Sequence, residues 1–150
     1  MTDKIELIGG SLSVEQLNAI FETIPQEMDV LDENDVVVWS SMNKHRLFKR
    51  TEKDIGKTVF EVHPGHSQGH VKAVLNQMHE CKRGKLAIMI HKDGIPVNIA
   101  FYSLHNDQGK YLGCIEVTQS VADLQEKGSK SRNLSNNKIK KKKAKSTKQI

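Results

Sequence analysis

The chain has 150 residues, a length that fits one domain, and its 37% hydrophobic content is enough for one core. It contains neither the roughly 20 consecutive apolar residues of a membrane span nor the start of a secretory signal, so a cytoplasmic location is expected. Cys81 and Cys114 lie far apart and form no CxxC pair, which argues against a disulfide framework or a cysteine zinc site.

The net charge of +5 comes from one end of the chain. Residues 127–150 carry 10 Lys or Arg and no acid, whereas residues 1–126 carry 13 basic and 18 acidic residues and are therefore at −5. This lysine-rich tail has too few apolar residues to fold and is predicted to be disordered. It could bind nucleic acid or an anionic surface, which a salt-dependent binding measurement with and without residues 127–150 would test.

The first predicted element of the main domain is a helix at residues 13–23. Ser13 and Gln16 have the spacing of a capping box, and apolar residues then recur at helical intervals. Pro25 ends the run.

The remaining elements indicate an α+β fold. In chain order they are a hairpin of strands at 28–31 and 36–39, one or two short helices within 41–62, a helix at 67–82, and strands at 86–91, 97–104 and 111–119. This order predicts a five-stranded antiparallel sheet with helices packed on one face. The expected boundaries are an N-terminal extension at 1–12, the folded domain at 13–126 and the tail at 127–150.

Four segments, in the same order, carry a family resemblance. They are GSLSVEQLNAIFETIP at 10–25, VLDENDVVVWSS at 30–41, IGKTVFEVHP at 55–64 and DQGKYLGCIEVTQ at 107–119. Together they resemble the PAS domain found at the C-terminus of DUF438 proteins, where it is often linked to a hemerythrin-like domain. The resemblance implies a sensory module that uses the concave face of its sheet as a ligand pocket or a dimer surface. The segment HPGHSQGH at 63–70 departs from the HPPKS-type sequence usual in the family.

Three histidines form the main chemical motif. His63, His66 and His70 run from a loop into a helix start, and on one helix His66 and His70 would share a face, as metal ligands do. An imidazole is also an axial ligand of haem iron, for which His70 is the candidate. The alternative is that all three are ordinary polar residues of a loop and a helix N-terminus.

Alternation along the strand from residue 97 places Val97, Ile99 and Phe101 on one face. With Met89 or Ile88 and with Trp39, they could line a ligand cavity or fill a core. The candidate ligand- or cofactor-binding residues are thus His63, His66, His70, Trp39, Met89, Ile99 and Phe101.

A basic cluster follows the hairpin. It consists of His45, Arg46, Lys49, Arg50 and Lys53, and it could receive an anionic ligand or an acidic partner, although a solvated helix face is more common for such a cluster.

The nucleotide-loop patterns GxxxxGK[ST] and GxGxxG are missing from the sequence. GHSQG at 65–69 matches GxSxG, but no predicted strand precedes it, as a nucleophile elbow requires. The chain is therefore predicted to be a non-enzymatic sensory domain that binds a small molecule or a partner protein and signals through a homodimer, with the first helix as the dimer surface. The alternatives are a haem- or metal-binding redox or gas sensor that uses the three histidines, and a nucleic-acid-associated adaptor that binds through its tail.

Overall fold

The computed structural model describes residues 3–63, 65–80, 84–122 and 124. Cys81 and the lysine-rich tail at 127–150 lie outside the described residues.

The described chain contains seven strands and three α-helices. They are β1 (Lys4–Leu7), β2 (Gly10–Ser13), α1 (Val14–Thr23), β3 (Glu27–Leu31), β4 (Val37–Ser40), α2 (Val59–Val62), α3 (Gln68–Glu80), β5 (Lys85–Lys92), β6 (Ile95–His105) and β7 (Tyr111–Ser120), with single 3₁₀ turns at Glu52–Asp54 and Gly65–Ser67.

The main sheet has five antiparallel strands in the order β4-β3-β7-β6-β5. The last strand, β7, therefore lies in the centre of the sheet, between the β3–β4 hairpin and the β5–β6 hairpin. This arrangement confirms the predicted α+β fold.

The start of α1 follows the predicted capping box. The Gln16 backbone N–H donates to Ser13 Oγ at 3.0 Å, and the Ser13 N–H donates to Gln16 Oε1 at 2.9 Å. These two bonds satisfy donors that the first helical turn would otherwise leave open. The helix ends at Thr23, two residues before Pro25.

The two faces of the sheet have different neighbours. The inner face is covered by α3, whose Val74 and Met78 pack against Val97, Ile99 and Phe101 of β6. Closer to the β3–β4 hairpin lies a second apolar cluster. Leu31 and Val37 of the hairpin pack there against Val59 of α2 and against Val71 and Leu75 of α3. The outer face is the opposite one, and α1 contacts it through Phe21.

The residues predicted to form an extension before the domain contain secondary structure. β1 and β2 pair as a separate antiparallel ribbon from Lys4↔Ser13 to Leu7↔Gly10. Ile5, Leu7 and Leu12 alternate with polar residues around Gly9 and Gly10, a hairpin pattern that the predicted extension overlooked.

Within the described residues, no helix has the length and apolar character needed to cross a membrane.

Candidate functional site

A cleft of about 540 Å³ lies between the inner face of the sheet and the segment that leads into α3. Its size is within the range of small-molecule sites, roughly 300–1,000 Å³. Its lining residues are Phe48, Arg50, Val62, His63, His66, Ser67, His70, Val71, Ile88, Ile90, His91, Lys92, Ile99, Phe101 and Glu116.

The floor of the cleft comes from three neighbouring strands. Ile88 of β5 pairs with Ile99 of β6, and Phe101 of β6 pairs with Glu116 of β7. Alternation places these side chains on the inner face, so an apolar floor ends in a carboxyl group. Ile99 and Phe101 thus occupy the position that the sequence predicts for a cavity wall.

The three predicted histidines all line this cleft. His63 Nδ1 lies 2.7 Å from the Val59 carbonyl oxygen. Since a carbonyl only accepts, Nδ1 carries the proton, and a neutral ring then has its lone pair on Nε2. Burial, opposed by that hydrogen bond, lowers the pKa of His63, which favours this neutral form. His66 and His70 are exposed at the rim.

A metal centre is not assembled from these histidines. Among the described residues, no group of three or more His, Cys, Asp or Glu side chains is placed to hold a metal ion. Haem ligation requires only one or two protein ligands and is a separate question.

Two predicted lining residues lie outside the cleft. Met89 pairs with Asn98 on the outer face and is 55% exposed, so Ile88, the alternative at this position, is the cleft residue. Trp39 pairs with Val30 on the outer face, where its ring lies 4.7 Å from that of Phe21, centroid to centroid. The pairing register of the strands therefore separates these two side chains from Ile99 and Phe101.

The basic cluster after the hairpin is only partly a solvated surface. The Arg46 side chain is 4% exposed, and its guanidinium donates to both Asp29 carboxylate oxygens, at 3.1 and 3.3 Å. It also lies 3.7 Å from Glu27 Oε1 and donates to the Phe48 and Ser41 carbonyls. The expectation of a solvated helix face is wrong for Arg46, because the carboxylates that pair with it lie on the inner face of β3.

Arg50 extends the same ion network, which consists of Glu27, Asp29, Arg46 and Arg50. Its side chain is 9% exposed, and its Nε lies 3.7 Å from Asp29 Oδ1, too far for a hydrogen bond. This Nε is buried without a hydrogen-bond partner. Arg50 therefore lines the cleft with a guanidinium group that has a hydrogen-bond donor without an acceptor.

Glu116 lies beside this network on the floor of the cleft. Burial, and secondarily the charge of Asp29, raise the pKa of Glu116 to about 7. The described residues provide no hydrogen bond to its carboxyl group. Near neutral pH this group can therefore act as a donor or as an acceptor toward a molecule in the cleft.

Glu116 was not identified as a site residue from the sequence, and Arg50 was noted only as one of five basic residues to which no function was assigned. The signal was the alternation of Glu27, Asp29 and Leu31, which places two acids on the same strand face as a core leucine. Acids on an inner face require cations, and the nearby arginines supply them.

Cys114 is a residue of the apolar core on the inner face. It is fully buried, and burial raises the pKa of its thiol to about 12. A thiol with so little thiolate is a poor nucleophile.

A second depression, of about 690 Å³, lies at the ends of β5 and β6. Apart from Tyr102, its lining is polar or glycine, and includes Lys85, Asn106 and Asp107. It has no aliphatic side chain in its lining, so the cleft on the inner face, with Ile88, Ile90, Ile99 and Phe101, is the stronger candidate site.

A family model described as a PAS domain matches residues 17–122. The chain belongs to the PAS domain family. The matched region includes β3 to β7, α2 and α3, and so contains the whole cleft. A comparison with curated protein sequences finds no match.

Solved structures share this PAS fold. The C-terminal domain of a Streptococcus mutans protein is 25% identical with a TM-score of 0.75, and the match covers 83% of this chain and 97% of that one. The PAS domain of a Colwellia psychrerythraea protein is 12% identical with a TM-score of 0.54, covering 71% and 95%. VqmA of Vibrio cholerae, solved as a ligand–DNA complex, is 23% identical with a TM-score of 0.57; the match covers 73% of this chain and 52% of VqmA.

Proposed function

We propose that this PAS domain is a cytoplasmic, non-catalytic sensor that binds a small molecule in the cleft on its inner sheet face. The observation that carries the proposal is the cleft itself. It combines an apolar floor with two buried polar groups that make no hydrogen bond with the described residues, Arg50 Nε and the Glu116 carboxyl. Few convergent polar groups in an apolar cavity are typical of ligand sites. VqmA, which shares the fold, has been solved with a bound ligand, and this supports ligand binding here without indicating which ligand.

Filling the cleft is expected to abolish ligand capture. Ile88→Phe adds a ring on the inner face, whereas Met89→Phe, one residue along the same strand, adds it on the outer face. Both variants and the unmodified protein would be equilibrated with a small-molecule extract of host cells, and retained molecules would be identified by mass spectrometry. We expect Ile88→Phe to reduce retention at least about tenfold, a change that corresponds to roughly 1.4 kcal/mol of binding free energy.

The Met89→Phe variant serves as the control and should retain the same molecules as the unmodified protein. Equal retention by all three proteins would refute binding in the cleft. Because the whole extract is offered to each protein, the ligand need not be identified before the comparison.

Haem is a second candidate ligand, favoured by the geometry of His63. Its Nδ1–H bond to the Val59 carbonyl fixes the ring in the manner of iron- and metal-ligating histidines and leaves Nε2 for an iron. A bound haem would supply gas or redox chemistry. Absorption spectra after incubation with haemin distinguish this candidate, since a Soret band should disappear in His63→Ala or, if the rim residue ligates, in His70→Ala.

The output of the sensor is proposed to be a homodimer contact through α1 and the outer face. β6 links the two faces, because Phe101 points into the cleft while Tyr102 lies on the outer face. α1 has no buried residue, and its Ile20 is 41% exposed while Phe21 contacts Trp39. A shift of the strands on ligand binding would therefore change the surface on which α1 sits.

Ile20→Glu is expected to weaken self-association at least about tenfold, because it places a charge in the apolar contact. Sedimentation velocity over a wide concentration range measures the change. Ile55→Glu is the matched control, as Ile55 is similarly exposed but lies outside α1 and the main sheet. A monomer at every concentration in the unmodified protein would rule out the dimer.

The association with a hemerythrin-like domain, as in DUF438 proteins, remains a prediction. It would be supported if such a domain, added as a separate protein, bound to this chain in a pull-down.

A further inference from the structure

The polar end of the cleft, formed by Arg50 and Glu116, indicates the chemical class of the ligand. Arg50 is nine-tenths buried, yet its Nε has no hydrogen-bond partner and its Nη2 makes no hydrogen bond with any described residue. A buried N–H group without an acceptor destabilises the protein, and a ligand that supplies the acceptor removes this penalty.

The charge balance favours an anionic acceptor. Glu27 accepts from the Leu47 and Phe48 backbone N–H groups, and Asp29 accepts from Arg46 and Ser40 Oγ. These two carboxylates thus have partners other than Arg50, which leaves its guanidinium partly available.

The rest of the lining adds no further fixed negative charge. Besides Arg50, the lining residues with a charge or a titratable side chain are Lys92, His63, His66, His70, His91 and Glu116. Glu116 is the single acid among them, and its proton affinity lets it become neutral near pH 7. Among the lining residues, Glu116 is thus the one carboxyl group that a bound anion would meet, while Asp29 and Glu27 behind it are paired with Arg46.

We propose that the cleft binds a small amphipathic carboxylic acid, whose carboxylate accepts hydrogen bonds from the Arg50 guanidinium and from the protonated Glu116 carboxyl. The apolar part of the molecule lies on Ile88, Ile99 and Phe101. A guanidinium and a carboxylate form strong, geometrically specific hydrogen bonds, and a protonated carboxyl donates a further one. This inference rests on the proposed ligand-binding function and specifies its ligand.

Binding of an acid in this way is linked to protons at Glu116. Its charged surroundings are Glu27 and Asp29 from β3, Arg46 and Arg50 from the segment after β4, and the cleft residues His63, His66, His70, His91 and Lys92. Above the pKa of free Glu116, about 7, an acid must bind together with a proton. Its affinity should then fall by about tenfold per pH unit.

Matched pairs of probes test the proposal: octanoate against octanamide, and 3-phenylpropionate against 3-phenylpropanamide. Calorimetric titrations at pH 6.5 to 9 should show that each acid binds at least about tenfold more tightly than its amide at the lower pH. Arg50→Gln should remove this preference, while Lys92→Gln, which deletes a rim cation, should change it less than about threefold.

Glu116→Gln isolates the proton linkage. This isosteric variant keeps a donor and should still bind the acids at pH 6.5, but it should lose the decline between pH 7 and 9. Any change in histidine protonation would be common to both proteins, so it does not imitate this result. Denaturation curves confirm that each variant is folded.

Two results would overturn the proposed ligand class. One is equal binding of acids and amides, and the other is failure of every acid in the series to bind. Acid binding that Ile88→Phe leaves unchanged would place the acid outside the cleft and overturn the proposal as well. Amide binding that Ile88→Phe abolishes would still support the cleft as a ligand site. Retention of host molecules unaffected by Ile88→Phe would instead remove the proposed function itself.

Discussion

Arg46→Met is expected to lower the free energy of unfolding by about 3–5 kcal/mol. The substitution keeps much of the side-chain length but removes the guanidinium, leaving Glu27 and Asp29 buried without their main cation. It also frees the Ser41 and Phe48 carbonyls. Because domains are stable by only about 5–15 kcal/mol, much of the protein's stability would be lost. Urea denaturation measures the change.

Two further variants separate the ion network from simple loss of contacts. Lys44→Met removes an exposed cation from the same segment and should cost less than about 0.5 kcal/mol. Asp29→Asn combined with Arg46→Met should cost less than the sum of the two single changes, since one uncompensated charge is then gone. A cost below about 1 kcal/mol for Arg46→Met alone would contradict the role assigned to the network.

The ion network and the cleft share Arg50, which connects stability to sensing. Arg46 makes hydrogen bonds to β3 and to the backbone around it, whereas Arg50 makes a long contact with Asp29 and one hydrogen bond, from Nη1 to the Lys49 carbonyl at 3.2 Å. One arginine thus holds the segment after β4 in place, and the other is held near the cleft with hydrogen-bonding capacity left over. A ligand that engages Arg50 would alter the charge around Asp29 and hence the β3–β4 hairpin, which carries Trp39 and its contact with α1.

The fold was predictable because its signals are local. The capping box at Ser13 and Gln16, the helical spacing in α3 and the turns between the last three strands each act within a few residues. Their order then restricts the topology to few arrangements.

The position of the cleft residues on the sheet was less predictable. In the centre of β5, Leu86 to Ile90 are all apolar, so Ile88 and Met89 could not be separated by the polarity of their nearest neighbours. In β4, the run Val36 to Trp39 is continuously apolar, and a register irregularity between Val30 and Leu31 sets which residues point inward. A shift of one residue in the pairing register moves every side chain of a strand to the opposite face of the sheet. The sequence alone therefore does not show that Trp39 lies on the outer face.

The ion network could not be derived from spacing along the chain alone. Arg46 and Asp29 are 17 residues apart, and their contact depends on how the segment after β4 folds back over the inner face. A run such as RLFKR in a sequence is more often solvated. The acids of β3 carried the missing signal, since Glu27 and Asp29 share a face with the core residue Leu31.

Gly113→Ala is expected to destabilise the domain by at least about 3 kcal/mol and to leave little folded protein. Gly113 lies in the central strand β7 with φ of 136°, a conformation that residues with a Cβ rarely adopt. An added Cβ would overlap the Leu31 carbonyl oxygen and lie 3.1 Å from Asp32 Cα. Because both neighbours are backbone atoms of the adjacent strand and turn, no side-chain rotation relieves the clash.

Gly109→Ala distinguishes steric overlap from conformational strain. Gly109 also has a positive φ, 80°, but an added Cβ would meet no atom within 4 Å. That variant should cost only about 1–2 kcal/mol, the penalty of a left-handed conformation. Thermal and urea unfolding of both variants would show whether β3 and β7 are packed as closely as described. Equal stabilities of the two variants would mean that β3 and β7 can move apart at Gly113. Leu31, the residue of β3 that an added Cβ would meet, belongs to the second apolar cluster, and Cys114 follows Gly113 in β7. The inner face of the sheet would then be deformable at its centre.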